Sequence, residues 1–216
     1  MRQVLQDLWE TEADSPFPGL TTHAYLWTPA RALFYSPATA TEFGELASQG
    51  GIAHHYLSHR DEASAILRSI AQQFNSTLHA PAAELDDINP HHRVDVALST
   101  RHVDANGVEI IPTPGHTPGS ICYLVTGAEG RYLFTGDTLI RNPHGEWWAG
   151  YIEGISDRDS LAASLKLLAT LGPQVVISSA YQGDGAVHGI QAGAWQDHVE
   201  QALDGLIGRT RNATTS

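Results

Sequence analysis

Apolar residues follow two different periods along this chain of 216 residues, and each change of period marks a change of predicted element. In the first third, short apolar runs bounded by turn residues predict strands at 23–27, 31–35 and 52–57. Thr28, Pro29 and Ala30 supply the turn of a hairpin between the first two runs. Beyond Ser58 the spacing becomes helical, at Ile66, Leu67, Ile70 and Phe74.

The second half repeats this change from strands to helices. Apolar runs predict strands at 108–111, 120–125, 131–135 and 174–178. A capping box at 156–159 predicts a helix with Leu161, Leu165 and Leu168 on one face, ended by Gly172 and Pro173. A final helix is indicated by Trp195, Val199, Leu203 and Leu206, and the polar tail 209–216 is expected to fray. This order predicts an α+β fold in which two sheets are sandwiched between helical layers, and we expect residues 1–216 to form a single domain.

Charge narrows the set of partners. The chain has 12 lysines and arginines against 24 aspartates and glutamates, which gives a formal net charge of −12. Such a charge repels nucleic acid and anionic lipid. A small molecule is therefore the expected partner, and the number of subunits, including a homo-oligomer, is left open.

Compartment is indicated by what the sequence contains. No apolar run approaches the roughly 20 residues that cross a bilayer, and Met1 to Glu10 carries charges throughout instead of an apolar signal core. The single cysteine, Cys122, lies in an apolar run and is predicted to be a core residue without a disulfide partner. We therefore expect a cytoplasmic protein.

Two segments combine a strand end with a metal-binding type of side chain. Residues 113–120 read Thr-Pro-Gly-His-Thr-Pro-Gly-Ser, in which prolines and glycines fix a turn that presents His116. Residues 134–138 read Phe-Thr-Gly-Asp-Thr, in which Asp137 follows a glycine at the end of a strand. Taken alone, the first segment could equally be a structural turn, and the second is more commonly one.

In this order and at this separation, the two segments resemble those of the metallo-β-lactamase superfamily, including its glyoxalase II-like thioesterase branch. The resemblance implies a four-layer αββα sandwich. It also implies that His116 is a metal ligand and that Asp137 is the aspartate that bridges two metals in that family.

The signature loop of the family, T-H-x-H-x-D-H, is altered here. The corresponding residues 58–64 read Ser-His-Arg-Asp-Glu-Ala-Ser, so that only His59 matches a histidine of the motif. Asp61 replaces the second histidine, and Ala63 and Ser64 replace the final pair. Ser179, Ala180 and Tyr181 stand where the closing histidine of the family is expected.

These departures predict one metal position instead of two. His59, Asp61 and His116, with Asp137 close by, form a mixed nitrogen and oxygen set that suits zinc, with iron or manganese as alternatives. Glu62 is a candidate general base, although a carboxylate at the start of a helix is the more ordinary interpretation.

Other residues have open interpretations. His54 and His55 point to opposite faces of one strand, so at most one can face the site. His188 could fold back to the site or lie exposed in a loop, and Trp147 and Trp148 could wall a pocket or cap the core.

Three functions follow as hypotheses. The first is a metal-dependent hydrolase of a small ester, thioester or lactone. The second is a mononuclear non-haem iron oxygenase, because two histidines and one carboxylate are the ligands that such enzymes use. The third is a non-catalytic binding protein whose site has decayed.

Overall fold

Two sheets stand face to face in the computed structural model, which describes residues 1–17, 19–183 and 185–213. The strands of the first half are, in chain order, β1 (Arg2–Leu5), β2 (Leu8–Glu10), β3 (Asp14–Phe17), β4 (Leu20–Thr22), β5 (Tyr25–Trp27), β6 (Ala32–Phe34), β7 (His54–Tyr56), β8 (Thr77–Pro81) and β9 (Val96–Leu98). Those of the second half are β10 (His102–Val103), β11 (Glu109–Pro112), β12 (Ile121–Gly127), β13 (Gly130–Gly136), β14 (Leu139–Arg141), β15 (Trp147–Ala149), β16 (Val175–Ser178), β17 (Ala180–Tyr181) and β18 (Val187–Gly189). The described α-helices are α1 (Phe43–Ser48), α2 (Ile66–Phe74), α3 (Leu85–Ile88), α4 (Arg158–Leu168) and α5 (Trp195–Ala213).

The first sheet has the order β1-β2-β5-β6-β7-β8-β9, and the second has the order β10-β11-β12-β13-β16-β18. Strands β6 to β9 run parallel to one another, because helices α1, α2 and α3 carry the chain back between them. A smaller sheet, β17-β4-β3, and the β14–β15 hairpin complete the strand pairing.

Alternation along β6 shows how the layers are built. Ala32 and Phe34 point into the space between the sheets, whereas Leu33 points outward to the helices α1 and α2. The second sheet is covered on its outer face by α4 and α5 through Leu133, Leu165 and other apolar residues. The predicted α+β fold, a four-layer αββα sandwich, is confirmed.

Most predicted elements are present; the strands of the first half are shorter than the apolar runs indicated, whereas β12 and β13 are longer. The hairpin consists of β5 and β6, paired from Tyr25↔Phe34 to Trp27↔Ala32. The start of α4 differs in detail, because Asp157 is the N-cap and accepts a hydrogen bond from the Ser160 amide at 2.7 Å. Helix α5 continues to Ala213, past the start of the predicted tail at Arg209, and residues 214–216 lie outside the described residues. Strands β1 to β4 were not indicated by the sequence pattern.

Cys122 is fully buried in the layer between the second sheet and its helices. Burial raises the pKa of its thiol to about 12, so the side chain is a neutral apolar packing group at neutral pH. No described helix combines the length and the apolar content that a bilayer-spanning segment needs.

The stacked pair of Phe34 and Phe134 joins the two sheets, with ring centroids 3.9 Å apart. We expect Phe34→Ala to lower the free energy of unfolding by about 3–5 kcal/mol, because it leaves a cavity between the sheets. Urea denaturation followed by circular dichroism measures the loss. Phe43→Ala serves as the control, since Phe43 is partly exposed beside Phe74, and it should cost about 1 kcal/mol; equal losses in the two variants would contradict the prediction.

Candidate metal site

The predicted site residues lie at one end of the sandwich, where strands of both sheets finish. His59 lies three residues beyond β7 and precedes a 3₁₀ turn, Arg60–Glu62, that carries Asp61. His116 lies in the loop after β11, and Asp137 directly follows β13. His59 and Asp61 thus follow a strand of the first sheet, and His116 and Asp137 follow strands of the second sheet.

The ligand atoms of His59, Asp61 and His116 lie within 4.8 Å of one another, and Asp137 lies beside the two histidines. Nε2 of His59 lies 3.8 Å from Oδ2 of Asp61 and 3.7 Å from Oδ2 of Asp137. Nε2 of His116 lies 3.8 Å from the same oxygen of Asp137. These separations are too long for hydrogen bonds. Ligand atoms of one tetrahedral ion at ~2.0–2.2 Å would lie ~3.3–3.6 Å apart, so this spacing fits shared coordination after small shifts.

His116 gives a direct test of whether the residues fit a metal. Its Nδ1 donates a hydrogen bond to the carbonyl oxygen of Gly150 at 2.6 Å, which leaves Nε2 as the atom with the free lone pair. Nε2 is buried and has no hydrogen-bond partner among the described residues. An unpaired buried nitrogen costs free energy, which a bound metal ion would offset. The Nε2 atom faces Asp137 and His59, as a metal-binding imidazole requires.

Gly150 packs so closely on Asp137 that a side chain there would meet it. A Cβ at Gly150 would lie 1.8 Å from the carbonyl oxygen of Asp137. The close approach lets one backbone carbonyl orient His116 beside the carboxylate. Nearby, Ser156 Oγ donates to the carbonyl oxygen of His116 at 2.8 Å, which fixes the start of α4 against the same loop.

Asp137 is held from the segment that replaces the closing histidine of the family pattern. Ser179 Oγ donates a short hydrogen bond to Oδ1 of Asp137, and the amide of Ala180 donates to the same oxygen at 3.2 Å. Oδ2 therefore remains directed at the histidines. Burial would raise the pKa of Asp137, but the histidines and these donors lower it below the ordinary value, so the carboxylate is ionised at neutral pH.

Glu62 lies behind His59, on the side away from the other ligands. Oε1 of Glu62 is 3.3 Å from Nδ1 of His59, and Oε2 accepts from the amide of Ser58 at 2.8 Å. The carboxylate also accepts a short hydrogen bond from Ser58 Oγ. Glu62 belongs to the 3₁₀ turn and not to the start of a helix, so this geometry favours a residue that positions His59 over a general base.

A buried carboxylate that the sequence pattern did not single out connects the two ligand loops. Glu84 is 1% exposed. It accepts from the amide of Arg60 at 2.7 Å and from the amide of Gly119 at 2.9 Å. These amides flank His59 and follow His116, so Glu84 ties the two loops together across the gap between the sheets. The one signal in the sequence that could have indicated this role is a charged residue, Glu84, next to apolar residues of a short helical turn.

His54, His55 and His188 do not line the cleft at the site. His54 Nδ1 contacts His79 Nε2 at 3.2 Å between the sheets, and His55 Nε2 contacts the carbonyl oxygen of Tyr35 at 2.8 Å. His188 lies on β18, where its ring packs against Trp147, so it neither folds back to the site nor lies in an exposed loop. Trp147 belongs to the core beneath α4 and α5, and neither it nor Trp148 lines the cleft.

The positions expected for a second metal offer few ligands. Ala63 and Ala180 carry methyl groups, and Ser64 offers only a hydroxyl. Within the described part of the chain, one group of three His, Cys, Asp or Glu residues has ligand atoms within 4.8 Å of one another: His59, Asp61 and His116. The geometry is therefore that of a single position.

The site opens into a cleft of about 510 Å³. One wall comes from β3, β4 and the following turn, at Asp14, Pro16, Leu20, Thr22 and His23. Another comes from the loop after β6, at Ser36, Pro37 and Ala38, and Ile152 closes a third side. The sequence pattern missed these walls, because short irregular strands carry no period that would place them near the site.

Comparison with known sequences gives a consistent family. The sequence model of the metallo-beta-lactamase superfamily matches residues 44–180. A hydroxyacylglutathione hydrolase of Shewanella oneidensis is 28% identical over 138 residues, which cover 61% of this chain and 47% of that protein. A probable polyketide biosynthesis zinc-dependent hydrolase, BaeB, of Bacillus velezensis is 34% identical over 85 residues, covering 38% of this chain and 36% of that protein. The chain thus spans about half or less of the length of these relatives.

Solved structures share the fold at low sequence identity. A metallo-beta-lactamase from Pontibacter korlensis matches with a TM-score of 0.70 and 14% identity, over 95% of this chain and 97% of that one. A metallo-beta-lactamase superfamily protein from Sulfolobus tokodaii, ST1585, matches with a TM-score of 0.65 and 16% identity, over 94% of this chain and 99% of that one. These likenesses concern the architecture alone.

The hydrogen bonds of Glu84 generate one prediction. Glu84→Gln keeps the size of the side chain but leaves one acceptor oxygen for two amides, so one amide loses its partner. We expect a loss of about 1–3 kcal/mol in the free energy of unfolding and faster hydrogen exchange at Arg60 and Gly119. Glu109→Gln is the control, since that carboxylate pairs with Arg101 at the surface; unchanged exchange in Glu84→Gln would refute the role of Glu84.

The environment of His59 generates a second prediction. Burial lowers the pKa of His59, but the hydrogen bond to Glu62 and the charges of Asp137, Glu62 and Asp61 outweigh it and raise the pKa to about 9. A proton on His59 therefore stabilises the metal-free fold fully below about pH 6.5, and this stabilisation is lost as the pH rises through about 9. NMR titration of chelator-treated protein should show this midpoint.

In Glu62→Gln the midpoint of His59 should fall toward the ordinary value of about 6.5, because the main partner has lost its charge. Glu109→Gln should leave it unchanged. A midpoint that does not respond to Glu62→Gln would contradict the assigned cause.

Proposed function

The chain belongs to the metallo-β-lactamase superfamily, and we propose that it is a metal-dependent hydrolase of a small ester, thioester or lactone that uses one divalent ion. The observation that carries this proposal is the convergence of His59, Asp61 and His116 at the base of the cleft, with Asp137 beside the two histidines. The thioester in this substrate range is supported by the curated relatives, which are named hydroxyacylglutathione hydrolases.

We assign the four converging residues as the ligands of the ion. A divalent ion bound there would lower the pKa of a water molecule toward neutrality and polarise a carbonyl group. Two imidazole nitrogens with carboxylate oxygens suit zinc, and the same set accepts iron or manganese. One relative is named a zinc-dependent hydrolase, which supports zinc.

The protein's own contribution is to hold each ligand in one orientation. The Gly150 carbonyl fixes the tautomer of His116, Glu62 faces Nδ1 of His59, and Ser179 occupies one oxygen of Asp137. Ligands held by such partners need no rearrangement to coordinate. This support is more than a decayed site would need, and it therefore favours an active metal centre over a non-catalytic protein.

A second candidate function is oxidation by mononuclear non-haem iron. His59, Asp61 and His116 form two histidines and one carboxylate with mutually close ligand atoms, which is the set that iron oxygenases use. Anaerobic loading with iron, followed by oxygen uptake in the presence of thiol or persulfide substrates, separates the candidates. Hydrolysis by the zinc form without oxygen uptake by the iron form supports the hydrolase.

Metal content and turnover provide the central test. After reconstitution with zinc, we expect about one equivalent of metal per chain, because the described residues offer one cluster of ligand atoms. His116→Ala should abolish metal retention and thioester hydrolysis together. His188→Ala is the control, since that histidine contacts Trp147 and not the site. Metal content below about a tenth of an equivalent per chain after reconstitution would contradict the proposed metal site.

A further inference from the structure

The cleft above the metal site has an unusual balance of charge. Carboxylates line it at four positions, Asp14, Asp61, Glu62 and Asp137. None of its described lining residues is a lysine or an arginine. A substrate carrying carboxylates would therefore meet no lysine or arginine on the described walls.

The arginines nearest in sequence to the site have partners elsewhere. Arg60 follows His59, but its guanidinium lies 3.3 Å from Asp87, away from the cleft lining. Arg158, at the start of α4, donates to the carbonyl oxygen of Leu206 at 2.8 Å and lies over the ring of Tyr151. Neither guanidinium is placed to compensate the carboxylates of the cleft.

A metal ion would balance only part of this charge. The two positive charges of a divalent ion would match its ligand carboxylates, Asp61 and Asp137. Asp14 and Glu62 would remain. Glu62 is occupied by Ser58 and His59, whereas the carboxylate of Asp14 makes no hydrogen bond or ion pair with any other described residue. Its half-buried side chain is therefore a free anionic group on the cleft wall.

Strand register places Asp14 near the metal position. Asp14 pairs with Thr22 across β3 and β4, and Thr22 pairs with Ala180 across β4 and β17. Residues paired in register share one face of a sheet, and two interstrand spacings separate their backbones by about 10 Å. All three line the cleft, and the Ala180 amide binds Asp137. A small substrate can thus reach Asp14 and the ion together.

The apolar walls favour a substrate with methyl or methylene groups beside its charge. Pro16 and Leu20 line the cleft from β3 and β4, as Asp14 does. Other segments contribute apolar side chains at Pro37, Ala38 and Ile152. An alkylated ammonium group combines positive charge with apolar surface, which matches such surroundings.

We propose that this cleft selects esters or thioesters that bear an ammonium group over those that bear carboxylates, and that Asp14 is the residue that recognises the ammonium. This substrate class rests on the proposed hydrolase function. It places the chain apart from relatives named for a glutathione thioester, which carries two carboxylates and one ammonium group and is therefore a net anion.

Three thioesters with the same acetyl group test the selection. Zinc-reconstituted protein is assayed by thiol release with acetylthiocholine, which is cationic, S-acetyl-N-acetylcysteamine, which is neutral, and S-acetylglutathione, which is anionic. We expect kcat/KM to fall in that order. Asp14→Asn should lower kcat/KM for acetylthiocholine about threefold to tenfold and leave the neutral thioester unchanged. Glu200→Gln, on the exposed face of α5, controls for net charge.

A binding measurement keeps the two proposals separable. Calorimetry with the non-hydrolysable 2-oxopropyl thioethers of thiocholine and of glutathione should show tighter binding of the cationic one, reduced by Asp14→Asn. If no thioester is hydrolysed while this preference holds, the hydrolase proposal fails and the charge selection stands. Equal or tighter binding of the glutathione thioether, or equal effects of Asp14→Asn on all three substrates, overturns the selection.

Discussion

Ligands of the candidate site come from both sheets, so the site can form only where the sheets are held at one separation and one register. The stacked rings of Phe34 and Phe134 set that separation, and hydrogen bonds across the gap set the register. Tyr123 donates to the carbonyl oxygen of Leu57, and the amide of Ile121 donates to that of Ser58 at 2.8 Å. These carbonyls immediately precede His59, so the packing of the core determines where the first ligand lies.

Buried hydroxyls carry the same constraint to Asp137. Tyr35 is 1% exposed; its hydroxyl donates to the carbonyl oxygen of Ile177 at 2.8 Å and accepts from the amide of Gly136 at 2.9 Å. Burial raises the pKa of Tyr35 well above its ordinary value, so the phenol stays protonated and can donate. Because a buried hydroxyl without partners is costly, Tyr35 strongly favours the one register in which both bonds form.

The sequence predicts the elements that depend on residues close together along the chain. It misses the contacts between residues that are far apart in sequence. The spacing of Ile66, Leu67 and Ile70 was sufficient for α2, and the proline and glycine turn singled out His116 only through its resemblance to the family loop. Glu84 was missed because its partners lie 24 and 35 residues away, where no periodicity connects them. The arm of β3 and β4 was missed because its strands have three or four residues and pair with irregular register.

Metal number and substrate charge are linked in this fold. A second divalent ion would bring two positive charges into the cleft, and the positions that would hold it are occupied by Ala63, Ser64 and Ala180. Serine and alanine remove ligands without adding any cation, so the carboxylates of Asp14 and Glu62 keep their excess over a single ion. If the centre holds one ion, as proposed, the same substitutions also shift the field of the cleft toward negative potential, although Ala63 removes one carboxylate of the family motif. The proposed metal number and the proposed substrate charge would then have the same cause.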